Sequence, residues 1–90
     1  MCGEENTVER VARMEAYMVA LRAAHSREPE AVRRDPCLAA MLRELTAYYE
    51  SPDWLADFER DARGEFPADM RRGVLSEDGL YDLLDEIGRT

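Results

Sequence analysis

The sequence predicts an all-α fold, a small bundle of three to four helices, and three observations carry that prediction. Apolar residues recur at helical spacing in four separate segments, no run of five or more residues alternates as a strand does, and capping residues, prolines or glycines stand at the segment ends. The chain has 90 residues, room for a single helical domain over 1–90, and 46% of it is hydrophobic, enough to order a folded core.

The first helix is predicted over Thr7–Ala24. Asn6 caps it, and Glu9, three residues on, completes a capping box. Val11, Met14, Met18 and Leu21 make one narrow apolar stripe flanked by Tyr17, with Arg10, Arg13, Glu15 and Arg22 largely on the other side. Residues 25–35 read as a polar connection around Pro29, with room for one helical turn. Asp35-Pro36 is a cap followed by proline at the first helical position, and it opens a second helix over Pro36–Tyr49. Leu38, Met41, Leu42, Leu45 and Tyr48 are its expected buried face.

Ser51-Pro52 repeats the start signal for a third helix over Pro52–Arg63. Trp54, Leu55, Phe58 and Ala62 are expected to face the core, and Gly64 to end the helix. Residues 64–75 form a loop with a turn after Pro67. Ser76 caps the fourth helix over 76–87, Leu75 staples onto Leu80, Leu80, Leu83, Leu84 and Ile87 form the stripe, and Gly88 stops it. A chain this short buries only about 60–65% of its unfolded surface. Dimerisation through the first helix's stripe, used as a coiled-coil seam, would relieve so small a core.

One long run carries a family resemblance: TAYYESPDWLADFERDARGEFPADMRRGVLSEDGLYDLLDEI, ending at Ile87. Two pieces are distinctive together, YYESPDWLADFERD and PADMRRGVLSEDGLYDLL. They resemble a bacterial family of short helical proteins, domain-of-unknown-function family 4298. The resemblance implies a helical fold and no chemistry. It also implies a more continuous helical first half than Pro29 and Pro36 allow here.

Charge narrows the partners. Twenty acidic residues against twelve basic ones give a net charge of −8, so neither a nucleic-acid backbone nor an anionic membrane is an expected partner. The excess lies in the second half: residues 1–48 hold seven Arg and eight acids, residues 49–90 five Arg and twelve acids. All the basic residues are Arg, and Lys and Gln are absent, which reads as codon bias in a GC-rich genome. The polar, acidic start MCGEENTVER is unlike a secretory signal, and no apolar run approaches the ~20 residues of a membrane span. With only two cysteines, Cys2 and Cys37, a reduced cytoplasmic protein is expected, Cys2 being an inert thiol near the terminus.

Several constellations bear chemistry in principle. Asp53, Asp57 and Asp61 share one face of the third helix at i, i+4, i+8 and could hold Mg²⁺ or Ca²⁺. The plainer reading is a solvated acidic face opposite Trp54, Leu55 and Phe58. Cys37 at a helix start with His25 could form a nucleophile and base, although Asp35 opposes the thiolate and no third group orients the pair. A partly buried structural cysteine and a surface histidine at a helix end are the simpler assignments. Two Cys and one His lack zinc-site spacing. Asp82, Asp85 and Glu86 lie opposite an apolar stripe, with no cleft to shift a carboxyl.

Arg71 and Arg72, with Arg60 and Arg63, could grip a phosphate or a partner's carboxylates, but internal pairing with Glu59, Asp61, Glu65 or Asp69 is expected. Tyr48 and Tyr49 lie about 100° apart on a helix, so one of them is a candidate exposed aromatic. Tyr48, Tyr49, Trp54, Arg71 and Arg72 are therefore the candidate interface residues. The leading functional reading is a cytoplasmic interaction module without catalytic activity or cofactor, binding another protein or a second copy of itself. The alternatives are a small divalent-metal enzyme or accessory subunit using Asp53, Asp57 and Asp61, and an acidic mimic of nucleic acid.

Overall fold

A computed structural model describes residues 6–88, and every regular element among them is helical. Cys2 lies outside the described residues. The order is α1 (Thr7–Arg27), α2 (Ala31–Arg34), α3 (Pro36–Tyr49), α4 (Pro52–Ala62), a 3-10 turn (Gly73–Leu75) and α5 (Glu77–Gly88).

Local signals set most of the boundaries. Asn6 Oδ1 accepts from the Glu9 amide at 2.8 Å and Glu9 Oε1 accepts from the Asn6 amide at 3.0 Å, a complete capping box. The helix does not stop at Ala24 but runs one turn further. Nothing in His25–Arg27 opposes a helix; the restriction acts on Glu28, which precedes Pro29 and is extended. The first half is therefore broken, with the single turn of α2 between Pro29 and Pro36. Asp35 Oδ1 accepts from the amides of Cys37 and Leu38 at 2.8 and 3.3 Å and so caps α3. Ser51 departs from the expected pattern. Its hydroxyl turns back to donate to the Tyr48 carbonyl at 2.6 Å, leaving Pro52 alone to open α4. Ser76 Oγ accepts from the Gly79 amide at 3.4 Å at the start of α5.

Gly64 ends α4 in the left-handed region, φ +72°. Its amide donates to the Asp61 carbonyl at 3.0 Å and the Glu65 amide to the Arg60 carbonyl at 3.1 Å, the paired bonds of a Schellman motif. A Cβ at Gly64 would meet no atom within 4 Å, so only the backbone opposes a side chain there. Gly64→Ala is expected to cost about 1 kcal/mol, a fall in Tm of about 4–8 °C read by thermal unfolding. An unchanged Tm would mean the turn relaxes out of the left-handed region.

The core lies along α1. Val11, Met14, Met18 and Leu21 are buried, and with them Val32, Leu45, Val74, Leu75, Leu80, Leu83 and Ile87. The stripe expected to form a dimer seam is thus consumed within the chain, against α3, α5 and the 3-10 turn. Of the α3 face, Leu45 and Tyr48 are buried, while Leu38, Met41 and Leu42 are half-buried at the margin. Two residues expected inside α4's contact face are exposed: Ala62, and Leu55 at 54%.

The 3-10 turn is stitched on both sides. Its Val74 amide donates to Glu15 Oε1 at 2.8 Å, and its Val74 carbonyl accepts from the Trp54 indole at 3.0 Å. Gly73 lets the turn approach α1, since a Cβ there would sit 3.0 Å from Met18 Cε. Among the described residues, no helix is long and apolar enough to cross a membrane.

Candidate functional site

The most concentrated polar chemistry is a buried carboxylate. Asp57, on α4, has no exposed surface. Its Oδ1 accepts from Arg10 Nη2 at 2.7 Å and Arg60 Nη1 at 2.9 Å. Its Oδ2 accepts from Arg10 Nε at 2.9 Å and the Tyr48 hydroxyl at 2.6 Å. These four bonds fill the acceptor capacity of a carboxylate and join α1, α3 and α4 at one point. Burial alone would push the Asp57 carboxyl up. The bonds from Arg10, Tyr48 and Arg60 outweigh it and hold the group below the usual carboxylate range. Tyr48 moves the other way: desolvation first, then its bond to the Asp57 anion, raises the phenol above its ordinary value. The Asp57 bond likewise raises Arg10. A carboxylate fixed in its ionised form with every lone pair taken is a structural tie. It has no proton to give and no face open to a substrate.

The predicted metal triad is correspondingly dispersed. Asp57 is turned inward on the arginines, and Asp61 pairs with Arg72 at 2.7 Å. Asp53 stays near the surface, 4.0 Å from Arg10. Among the described residues no three His, Cys, Asp or Glu side chains come together in a group that could hold a metal ion. The plainer reading needs correction too, because Asp57 is core and not solvated face. Arg10 and Glu15, read as surface residues, both reach inward.

The predicted interface residues are also split. Tyr48 is buried on Asp57, and Trp54 is buried between Tyr49, edge-on at 5.0 Å, and Phe58, stacked at 5.3 Å. Neither can anchor a partner from the surface. Arg72 folds back, its Nη1 donating to the Pro67 and Met70 carbonyls at 2.6 and 3.2 Å. Arg63 pairs with Glu65, so much of the arginine cluster is spent inside the chain as expected. Arg71 is exposed. Cys37 is an exposed free thiol rather than a partly buried one. His25 is half-buried and lines a cleft with Arg22, Asp82 and Glu86.

What the sequence reading missed is Tyr81. Absent from the candidate interface residues, it is 53% exposed on α5. It stands beside a groove of about 240 Å³ lined by Thr46, Tyr49, Glu50, Tyr81, Leu84 and Asp85. The signal was present: on α5, Leu80, Leu83 and Ile87 form the buried stripe, Leu84 borders it, and Tyr81 lies about 100° from Leu80 toward the acidic side.

Comparison with known proteins gives a family and nothing finer. No curated protein and no solved structure matches the chain. The family described as "Domain of unknown function (DUF4298)" matches residues 11–89, reaching back beyond the distinctive second half to take in α1, and the chain belongs to that family.

Proposed function

We propose that this protein is a small interaction module without catalytic chemistry of its own, acting in the cytoplasm. The observation that carries the reading is Tyr81, a tyrosine left half in water beside a groove on the acidic half of the chain. Tyrosine is a favoured anchor at protein interfaces. Asp57, Arg10 and Tyr48 are meanwhile spent on one another, and Arg72 on Asp61 and the Pro67 and Met70 carbonyls. The exposed thiol of Cys37 suits a reducing compartment.

The test is affinity capture of tagged protein from its host's lysate at low and moderate salt, followed by reconstitution of any captured pair from purified components. One stoichiometric partner, bound less tightly at moderate salt, is the expected result. No partner at either salt, with enzymatic turnover found instead, would remove the reading. Capture of a DNA-binding protein displaced by DNA would favour the nucleic-acid mimic.

Self-association is a second reading, favoured by the outward side of α1. Val8, Ala12, Ala16, Val19 and Ala23 are all exposed, and they share a sector roughly 80° wide that carries no charge. Glu9 and Arg27 border it on one edge, Glu15 and Arg22 on the other. An antiparallel second copy centred at the level of Met18 would set Glu9 opposite Arg27. Sedimentation equilibrium should then show twice the 10.3 kDa chain mass at high concentration. A mass of 10.3 kDa throughout discards this reading.

A further inference from the structure

We infer that the groove between the end of α3 and α5 docks a basic segment of a partner protein, one presenting an Arg or Lys beside an apolar side chain, with Tyr81 as the anchor. The inference rests on the interaction-module reading and names its surface and the chemistry of its partner.

Size and stiffness come first. At about 240 Å³ the groove is smaller than the ~300–1,000 Å³ typical of small-molecule sites, and it fits one or two side chains of a polypeptide. Its floor is fixed, because Tyr49 is held edge-on against buried Trp54 and Leu84 packs on the core. Tyr81 rises from the rim, so its ring is available without rearrangement.

Charge then selects the occupant. α5 carries Glu77, Asp78, Asp82, Asp85 and Glu86 and no basic residue. Helical spacing sets Glu77 and Asp78 at i−4 and i−3 from Tyr81, on the same side of the helix. Glu50 lines the groove from α3. A guanidinium or ammonium brought to Tyr81 meets the negative face of the ring and several carboxylates together. An acidic segment would find the same apolar floor but meet like charge. The larger cleft at His25 gives no such preference, since Arg22 there faces Asp82 and Glu86.

The test uses the full chain, ¹⁵N-labelled, titrated with a synthetic peptide of alternating Arg and Leu and with its Glu-for-Arg counterpart. The expected result is that the basic peptide shifts the amides of Thr46, Tyr49, Tyr81 and Leu84 while the acidic one does not. Tyr81→Ala, an exposed position whose circular dichroism should match the parent, is expected to weaken binding about tenfold or more. Glu50→Lys with Glu77→Lys should weaken it further and flatten its salt dependence. Equal binding by both peptides, shifts that map to the His25 cleft, or unchanged binding by Tyr81→Ala each overturn the groove. A host partner that Tyr81→Ala retains also overturns the groove but leaves the module reading standing. No host partner at either salt, with enzymatic turnover found instead, removes the module reading, and the groove with it.

Discussion

Asp57→Ala is expected to cost about 3–5 kcal/mol of folding free energy. That is a large part of the ~5–15 kcal/mol a small domain holds in total, so the variant should be partly unfolded near physiological temperature. Removing the carboxylate takes the acceptor away from four donors at once. Arg10 and Arg60, with side chains 22% and 37% exposed, can recover some hydration. The Tyr48 hydroxyl recovers less, because Tyr48 is buried. Asp57→Asn should also be costly, since its amide would point N–H groups at arginine N–H groups. Asp53→Ala is the control: an exposed carboxylate 4.0 Å from Arg10 should change stability by less than about 0.5 kcal/mol. Urea unfolding reads all three. The double variant Arg10→Met with Asp57→Ala should cost far less than the sum of its parts, because the second change removes the charge stranded by the first. Simple additivity would mean the two side chains are not energetically coupled.

The same carboxylate sets a pH dependence whose sign is fixed. Asp57 is depressed in the folded chain, so the unfolded chain binds the extra proton as pH falls. Its contribution is present above the unfolded carboxyl value of about 3.9 and is lost as pH falls through the lower folded value. The stability difference between the parent and Asp57→Asn should therefore hold from about pH 8 to about pH 5 and narrow at lower pH. Tyr48 runs oppositely. Its phenol is raised in the folded chain, so its contribution is present below the unfolded value of about 10 and declines as pH rises past it. Tyr48→Phe should cost about 1.5–3 kcal/mol near neutrality, as the loss of a hydrogen bond to a charged group. It should also remove this part of the alkaline decline. A parallel pair of pH curves for parent and variant would count against the Tyr48–Asp57 bond.

The helices were legible because their signals are local. Asn6 with Glu9, Asp35 with Pro36, and Ser76 act on backbone within three residues of themselves, and the structure shows those bonds. Asp57 was not legible, and the reason is physical. It lies three residues after Trp54, only about 60° round α4, so the direction of burial already includes it. Residue type alone sends a carboxylate to water. What reverses this is Arg10, 47 positions earlier in sequence, and nothing in α4 announces that partner. Counting Leu55 and Ala62 as core rotated the inferred face away from Asp57 and toward solvent. Tyr48 and Tyr49 show the complementary limit. Their spacing shows that both cannot point inward squarely, yet Trp54 covers the outlying ring and Tyr81 becomes the exposed aromatic instead.

Trp54→Ala is the second substitution expected to cost about 3–5 kcal/mol. The indole fills space between Tyr49 and Phe58, at centroid distances of 5.0 and 5.3 Å, so truncation opens a cavity and loosens both rings. It also removes the donor to the Val74 carbonyl, on a residue with no exposed surface. Trp54→Phe separates the two losses. It keeps a ring in the stack but leaves the carbonyl unpaired, a cost of about 1–3 kcal/mol. The remaining tie of the 3-10 turn to α1 is then the Val74 amide on Glu15. Glu15→Ala added to Trp54→Phe frees both sides of one turn, so the pair should be non-additive. Hydrogen exchange should show the opening first at Gly73–Leu75, before α1. Because Tyr49 leans on Trp54, even the mild variant should loosen the groove floor. It should weaken the basic peptide while leaving Tyr81 and every rim carboxylate in place. If Trp54→Phe lowers stability yet binds the peptide as the parent does, the groove does not depend on a rigid floor, and Tyr81 with its neighbouring charges suffices for docking.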